Sequence, residues 1–545
     1  MARAGFVFRF LKPCAVVAFL GFLAACGGGG GGEPVRTVTT VTVGSPTSTP
    51  KQGDTVQLTA VARDQFGDVL PGKPATWSSS DAKVATISPS GLLEAVALGT
   101  VVATATIDGL PGSLMLTIVA EPVASVTVGA PTLTAKEGET VQLTAVARDR
   151  FGNIVPGITA TWANSNPTVA SVAQDGLVLA LKTGTATVTA TVSGVYGALC
   201  LTVTPADAGS PYIVTLAGVA GMAGSSDGAC AQARFNQPAG IAVDLAGNVY
   251  VADAQDNTIR KITPTGVVST LAGSPGAYGF ADGTGATARF GFPKGVAADK
   301  AGNLFVADAG THVIRKVTSS GVVTTLAGSP GQYGFVDGPG AQARFHQPDG
   351  VATDDAGNVY VSDGFNDAIR KISPGGVVST LAASPKSDVS FPRGSDAIAR
   401  IAAPIGLDVD TAGDIYVANG GGGTVLKVSP SGTATSIAGY LGFNGSADGT
   451  GVDARFNTPF DVAVERSGGI YVTDTFNCTI RKIVAGGVVS TFAGVPGACG
   501  AADGPISDAR FFLPWGIAVD VSGNIYVSDS GNHTIRKLSP ASGAR

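Results

Sequence analysis

The tripeptide Pro-x-Gly recurs every 55 or 56 residues in the C-terminal half of this 545-residue chain, and its middle residue changes each time. The six middle residues are Ala239, Lys294, Asp349, Ile405, Phe460 and Trp515, and at the fifth position Asp461 replaces the glycine. Two aromatic rings beside a carboxylate suit the stacking and hydrogen bonding of a sugar or a peptide side chain. Lys294, Asp349, Phe460, Asp461 and Trp515 are therefore the candidate ligand-binding residues. The alternative is that these side chains only fill the centre of the fold.

An acidic and a basic residue recur together in five of the six repeats, seven positions apart. The pairs are Asp253 and Arg260, Asp308 and Arg315, Asp363 and Arg370, Asp474 and Arg481, and Asp529 and Arg536. The fourth repeat has Asn419 and Leu426 instead, so both partners vanish together. This covariation predicts structural ion pairs across a hairpin. A ring of carboxylates serving catalysis or a metal is the alternative.

The loops between repeats carry Asp-Gly and then Arg-Phe, and Arg400-Ile401 is the one exception to the second element. The recurrence predicts that the phenylalanine packs between neighbouring sheets. The Asp-Gly turns leave Ca²⁺ as an alternative, although no loop has the dense oxygen series of an EF-hand.

The three histidines, His312, His346 and His533, are expected to stand apart around a ring. No metal-ligand spacing and no nucleophile constellation is present in the sequence. We therefore predict no catalytic residues, no metal site and no cofactor.

Six cysteines are present, and three of them, Cys230, Cys478 and Cys499, fall in predicted loops on one face. Two of these three can pair in an oxidising compartment, and we predict Cys478–Cys499. Cys200, in a predicted strand, is expected to be a small buried apolar residue.

Each repeat contains four short β-patterned runs, which in the first repeat are residues 241–244, 249–253, 258–262 and 266–273. Six units of four strands predict a six-bladed β-propeller over residues 210–541. The sixth repeat ends near Pro540 without a fourth strand. Residues 213–218 resemble that missing strand, so we expect them to complete the last sheet and close the ring.

These repeats resemble the NHL repeat, and Asn532-His533 keeps part of its name-giving motif. The resemblance implies an interaction platform that binds a protein or a carbohydrate. Lactonase-like and lyase-like propellers with a divalent metal are built similarly, so a metal-dependent enzyme is an alternative function. A purely structural component of the cell envelope is another.

Two segments before the propeller repeat each other at an offset of 85 residues, for example in Val-Gln-Leu-Thr-Ala-Val-Ala-Arg-Asp at 56–64 and 141–149. Alternating apolar residues predict half-buried strands, and Trp77 and Trp162 are expected in the cores. The motifs resemble bacterial Ig-like domains of group 2. The resemblance implies two β-sandwiches, at 36–120 and 121–205, that act as spacers.

The N-terminus has the pattern of an export signal: Arg3, Arg9 and Lys12 precede an apolar stretch that is too short to span a bilayer. It ends in Leu-Ala-Ala-Cys26, which resembles a bacterial lipobox. The resemblance implies a signal peptide at 1–25, lipidation of Cys26 and a glycine-rich tether through residue 35. Gly27 favours the outer membrane or cell surface by the same resemblance.

The net charge of -5 and the absence of a basic stripe argue against a nucleic-acid partner. Together these features predict an all-β, lipid-anchored, monomeric binding protein of the cell envelope. Its expected partners are the membrane, through the anchor, and an unidentified protein or glycan.

Overall fold

The computed structural model describes residues 35–207, 209–384 and 399–540, and the protein is all-β, as predicted. The predicted signal peptide 1–25, Cys26 and the glycines after it lie outside the described residues. The chain divides into two compact units, one ending at Glu121 and one beginning at Pro122. Within the described residues the only helical elements are single 3₁₀ turns: Cys230–Gln232, Gly285–Thr287, Gly364–Asn366, Gly420–Gly422, Gly451–Asp453, Thr475–Asn477, Ala485–Gly487 and Ser530–Asn532.

The first unit is a β-sandwich built from short antiparallel sheets. Its strands are β1 (Val38–Gly44), β2 (Thr55–Gln57), β3 (Thr59–Asp64), β4 (Thr76–Ser79), β5 (Ala85–Ile87), β6 (Leu92–Ala95), β7 (Gly99–Ile107) and β8 (Leu110–Ile118). They form the sheets β1-β3, β2-β6-β5 and β4-β7-β8. Inward residues alternate along β7, and Trp77 packs against the core that Leu93 and Leu116 help to form.

The second sandwich begins the second unit and repeats the same plan. Its strands are β9 (Ser125–Gly129), β10 (Thr134–Lys136), β11 (Thr140–Gln142), β12 (Thr144–Arg148), β13 (Thr161–Asn164), β14 (Ala170–Val172), β15 (Leu177–Ala180), β16 (Gly184–Val192) and β17 (Val195–Thr204). Trp162 is buried in its core, as expected from the sequence.

The rest of the second unit consists of six antiparallel sheets across the described parts of 212–539. After β18 (Tyr212–Gly218) the strands, grouped by sheet, are: first, β19 (Gly228–Ala229), β20 (Pro238–Val243), β21 (Val249–Asp253), β22 (Thr258–Ile262) and β23 (Val267–Gly273); second, β24 (Gly283–Thr284), β25 (Pro293–Ala298), β26 (Leu304–Asp308), β27 (Val313–Val317) and β28 (Val322–Ala327); third, β29 (Gly338–Pro339), β30 (Pro348–Thr353), β31 (Val359–Asp363), β32 (Ala368–Ile372) and β33 (Val377–Ala383); fourth, β34 (Pro404–Val409), β35 (Ile415–Asn419), β36 (Thr424–Val428) and β37 (Ala434–Gly439); fifth, β38 (Gly449–Thr450), β39 (Pro459–Val464), β40 (Ile470–Asp474), β41 (Thr479–Val484) and β42 (Val488–Ala493); sixth, β43 (Gly504–Pro505), β44 (Pro514–Val519), β45 (Ile525–Asp529) and β46 (Thr534–Ser539).

The sheets form a closed ring. The strands β20, β25, β30, β34, β39 and β44 each contact the next, and β44 contacts β20. The closing strand is β18, which pairs antiparallel with β46, with Ile213 opposite Leu538 and Thr215 opposite Arg536. The expectation that residues 213–218 complete the last sheet is therefore confirmed. Without β18 the sixth sheet would end at β46, whose edge would be open to pairing with other chains.

A phenylalanine packs between neighbouring sheets, as its recurrence predicted. Phe290 lies among Ile259 of the first sheet and Val306 of the second, in a fully buried cluster. Phe235, Phe345, Phe456 and Phe511 occupy the equivalent clusters at four other junctions, and Ile401 takes the place at the sixth.

Two disulfides are described. Cys478 and Cys499 are joined, the pair predicted from the sequence. The expectation for Cys200 was wrong: it is bonded to Cys230 and so links β17 of the second sandwich to the first propeller sheet. Thr187 of the sandwich also accepts a hydrogen bond from the Ala231 amide at 3.1 Å. The loop containing Cys230 therefore lies against the sandwich, a proximity that sequence separation does not reveal.

Candidate ligand-binding channel

The Pro-x-Gly tripeptide begins the innermost strand of each sheet and does so through a bulge. In the first sheet the pairing of β20 with β21 shifts between Pro238 and Ile241, and the other five sheets show the same shift. A bulge redirects the side chains at its centre. The middle residue of each tripeptide consequently lines the space at the centre of the ring.

The glycine of the tripeptide is required by the close approach of neighbouring inner strands. A Cβ built on Gly295 would lie 2.7 Å from the Asp349 carbonyl oxygen and 2.8 Å from the Gly350 Cα. Nearly every sheet keeps this glycine because a side chain there would collide with the next strand.

The six inner strands enclose a cavity of about 190 Å³. All five predicted site residues line it: Lys294, Asp349, Phe460, Asp461 and Trp515. Most other lining residues are small or aliphatic, such as Ala242, Val296 and Ala518. The two aromatic rings therefore lie on the fifth and sixth sheets, whereas Lys294 and Asp349 lie on the second and third.

Phe460 and Trp515 stack on each other across the fifth and sixth sheets. Their ring centroids are 5.0 Å apart and the ring planes differ by 17°. Thr473 helps to hold them: its hydroxyl donates to the Trp515 carbonyl oxygen at 2.6 Å and accepts from the Asp461 amide at 2.9 Å.

The Asp461 carboxylate bridges the fifth and sixth inner strands. Its Oδ1 accepts from the Val462 amide at 2.9 Å and its Oδ2 from the Ile517 amide at 3.0 Å. A Cβ on Gly406 of the fourth sheet would overlap this carboxyl group. Glycine at 406 thus leaves the space that the carboxylate of Asp461 occupies.

A second carboxylate, Asp408, was missed by the sequence analysis. It lines the same cavity, and it accepts from the Val409 and Val464 amides at 2.8 Å each. The other five repeats have alanine four residues after the proline, for example Ala352 and Ala463. That replacement of alanine by aspartate was the available sequence signal.

Lys294 and Asp349 form an ion pair on the opposite part of the wall. The side chains are 27% and 14% exposed, so the pair faces the cavity without being immersed in solvent. Burial raises the pKa of Asp349, while the attraction of Lys294 opposes that rise.

The two bridging carboxylates differ electrostatically from ordinary aspartates. Burial raises the pKa of Asp461 to about 8, and the nearby negative charge of Asp408 adds to the effect. Burial likewise raises the pKa of Asp408 to about 6. The backbone amides that each carboxylate accepts from favour the ionised form but do not cancel the loss of solvation.

The recurrent Asp–Arg pairs lie within the sheets and not at the channel. Arg260 is fully buried, and its guanidinium contacts Asp253 at 2.9 Å and Asp227 at 2.7 Å. Asp227 belongs to the Asp-Gly element and also accepts from Thr270 at 3.0 Å. The four other pairs repeat this geometry with Asp282, Asp337, Asp448 and Asp503 as second partners. The structural interpretation is therefore confirmed, and the carboxylates of the Asp-Gly elements form ion pairs with the arginines.

Two of the histidines meet, contrary to the sequence-based expectation. The rings of His312 and His346 are 5.8 Å apart, and Tyr333 stacks on His346 at 4.7 Å. His533 stays separate, and its Nδ1 accepts from the Gln237 amide at 3.1 Å. Across the described ranges no three His, Cys, Asp or Glu side chains are placed to hold a metal ion.

Family models identify the parts of the chain. Residues 37–112 and 122–203 match the bacterial Ig-like domain (group 2), residues 513–538 match the NHL repeat, and residues 221–281 match the teneurin NHL domain. The chain contains bacterial Ig-like domains and NHL repeats.

Curated relatives share the repeat region or the sandwiches at low identity. The chain is 27% identical to Protein SUPPRESSOR OF QUENCHING 1, chloroplastic, of Arabidopsis thaliana over 59% of this chain and 26% of that protein. It is 27% identical to NHL repeat-containing protein 2 of Gallus gallus over 55% and 46%, respectively. It is 31% identical to Ice-binding protein 1 of Shewanella frigidimarina over 31% and 19%. The chain thus spans less than half the length of these relatives.

Solved structures resemble the chain at lower identity still. An auxiliary nutrient binding protein from Bacteroides ovatus aligns with a TM-score of 0.48 at 16% identity, over 76% of this chain and 98% of its own. A streptogramin B lyase aligns with a TM-score of 0.39 at 13% identity, over 61% and 99%. No helix in the described residues is long and apolar enough to cross a bilayer.

Proposed function

We propose that this protein is a non-catalytic binding protein whose ligand, a protein segment or a carbohydrate, enters the central channel beside Phe460 and Trp515. The observation that carries the proposal is the stacked aromatic pair on the wall of a cavity of about 190 Å³. Side chains that only filled the centre of the ring would leave no such space. Aromatic surface next to buried polar groups is the usual composition of a ligand site.

The test is a binding screen of the full chain against glycan and peptide arrays, followed by titration calorimetry of each hit. We expect Trp515→Ala to weaken binding by about tenfold or more, because a buried aromatic contact contributes on the order of 1–3 kcal/mol. Phe476→Ala is the matched control, since Phe476 is 54% exposed and does not line the cavity. Equal binding by wild type and Trp515→Ala would refute this site.

We further propose that the protein is exported and lipid-anchored through Cys26, and that the Ig-like domains act as spacers between the anchor and the propeller. The support is the N-terminal pattern that ends in Leu-Ala-Ala-Cys. Metabolic labelling with a lipid precursor is expected to mark the wild type and not Cys26→Ala. Label on Cys26→Ala would overturn the anchor.

A further inference from the structure

The charged groups that face the cavity do not balance. They are Lys294 of β25, Asp349 of β30, Asp408 of β34 and Asp461 of β39, while β20 and β44 contribute no charged group to the lining. Lys294 forms an ion pair with Asp349. Asp408 and Asp461 make no ion pair with any described residue. The negative charge of Asp408 acts on Asp461, and that of Asp410 acts on Asp408.

The two carboxylates retain capacity to accept hydrogen bonds. Each of their four oxygens accepts one backbone N–H. An ionised carboxylate has about four lone-pair sites. Roughly half of the acceptor capacity of each group therefore remains for donors that no described residue supplies.

The size of the cavity limits what can enter. A volume of about 190 Å³ has room for roughly a dozen or more water molecules at about 10–15 Å³ each. A short alkyl chain with a polar end fits such a space, and a folded protein element does not. Aromatic rings such as Phe460 and Trp515 pack against an alkyl chain and attract a cation.

We propose that the channel binds a primary ammonium group on an alkyl chain, with the ammonium held by Asp461 and Asp408 and the chain packed against Phe460 and Trp515. This inference rests on the proposed function and names the chemistry that its ligand presents. A free alkylamine and a lysine side chain of a partner protein share this chemistry. The ammonium donates three hydrogen bonds, for which the two carboxylates together keep about four acceptor sites, and its charge compensates the carboxylates.

The proposal has a pH signature. Because the pKa of Asp461 is about 8 in the free protein, its carboxyl group is largely protonated at pH 6. A bound ammonium favours the ionised form, so binding below pH 8 must first release a proton. Affinity for an amine should therefore rise as the pH increases from about 6 to about 8. Asp408, whose pKa is about 6, contributes mainly at the lower end of that pH range. Asp349 also faces the cavity, and the attraction of Lys294 opposes the rise of its pKa.

The experiment is titration calorimetry of the full chain with n-butylamine and with its neutral counterpart n-butanol, at several pH values. Lysine-containing and norleucine-containing peptides form a second arm that distinguishes a partner side chain from a free amine. We expect butylamine or the lysine peptide to bind and its neutral counterpart not to bind. Asp461→Asn should weaken amine binding by about tenfold and flatten the rise with pH.

Matched variants keep the test decisive. Asp355→Asn removes an exposed carboxylate, 71% accessible and outside the cavity, and should leave amine binding unchanged. If Asp461→Asn fails to fold, Asp461→Gly and Asp408→Ala restore the residues that the other repeats carry. Amine binding that survives the loss of both carboxylates overturns the proposal.

Failure of this inference is distinguishable from failure of the proposed function. A neutral glycan or peptide that binds in a Trp515-dependent manner, without any amine binding, would keep the channel as the site and reject the ammonium. Absence of binding by amines, glycans and peptides alike would reject both.

Discussion

Among single residues, the buried arginines determine how five of the six sheets are held to their loops. Arg370 is fully buried and contacts Asp363 and Asp337, and it also donates to the carbonyl oxygens of Arg344 and Val336. Its Nε has no hydrogen-bond partner among the described residues. Burying a guanidinium is costly, so its partners must be held in place. The Phe345 ring, 5.1 Å from the guanidinium carbon, covers one face.

The fourth sheet shows that the fold tolerates the loss of the Asp–Arg pair, because Asn419 and Leu426 stand at its two positions. We expect Arg370→Leu alone to lower the free energy of unfolding by about 3–5 kcal/mol, since Asp363 would remain buried without its cation. The double change Asp363→Asn with Arg370→Leu should cost clearly less. Denaturant unfolding of the two variants measures the difference, and an additional loss in the double variant would contradict the interpretation.

Asp461 gives a prediction about stability and pH. Its pKa is about 8 in the folded protein and ordinarily near 3.8. At a pH between these two pKa values, folding is therefore accompanied by the uptake of a proton. The ionised group therefore lowers stability progressively as the pH rises from about 4 to about 8. The melting temperature of Asp461→Asn relative to wild type should increase across this range. A constant difference, or the same trend in Asp355→Asn, would argue against a buried carboxyl.

At the scale of elements, one strand decides whether the ring is closed. β18 pairs with β46 on one side and with β43 on the other, although more than 280 residues separate them in sequence. Thr215 is also fixed by Asp503, whose Oδ2 accepts from the Thr215 amide at 3.0 Å. The last sheet therefore depends on a segment that precedes the first repeat in the chain.

Proline in this strand tests the closure. Val214→Pro removes an N–H and introduces a ring at a buried position opposite Lys537, so we expect a markedly lower melting temperature and aggregation. Ser319→Pro is the control, because equivalent turns carry Pro264 and Pro374. Deletion of residues 210–218 should act like Val214→Pro. An unchanged melting temperature in the deletion would contradict the closing role.

At the scale of the whole molecule, a disulfide joins the second sandwich to the propeller. Cys200 and Cys230 are 30 residues apart, and a bridge of this span contributes about 3–4 kcal/mol in the chain-entropy account. A hydrogen bond such as that between Ala231 and Thr187 contributes about 1 kcal/mol. We infer that the disulfide contributes more than any single hydrogen bond between the two domains.

Removing the link should loosen the second sandwich while leaving the propeller folded. In Cys200→Ser with Cys230→Ser, we expect faster proteolysis between β17 and β18, detected by mass spectrometry of the fragments. Cys478→Ser with Cys499→Ser lies within the propeller and should not change cleavage there. Cleavage at the wild-type rate in the first variant would show that non-covalent contacts suffice.

The features that repeat along the chain can be read from the amino-acid sequence alone. The interval between prolines, the strand patterns and the joint loss of Asp and Arg in the fourth repeat specify the sheets, the inter-sheet phenylalanines and the ion pairs. They can be recognised because each repeat packs against its neighbours in the same way and so carries the same type of residue at the same position. The displaced strand at 213–218 was recognisable for the same reason.

Contacts between residues of different repeats, by contrast, depend on how the sheets assemble. Asp408 and Asp461 lie 53 residues apart, and they become neighbours because their strands are adjacent in the ring. Cys200 and Cys230 likewise meet only in the folded protein, because one lies in the second sandwich and the other in a turn of the propeller. Local patterns fix the conformation of a strand, whereas burial, charge balance and the volume of the channel arise from contacts between strands that are distant in sequence.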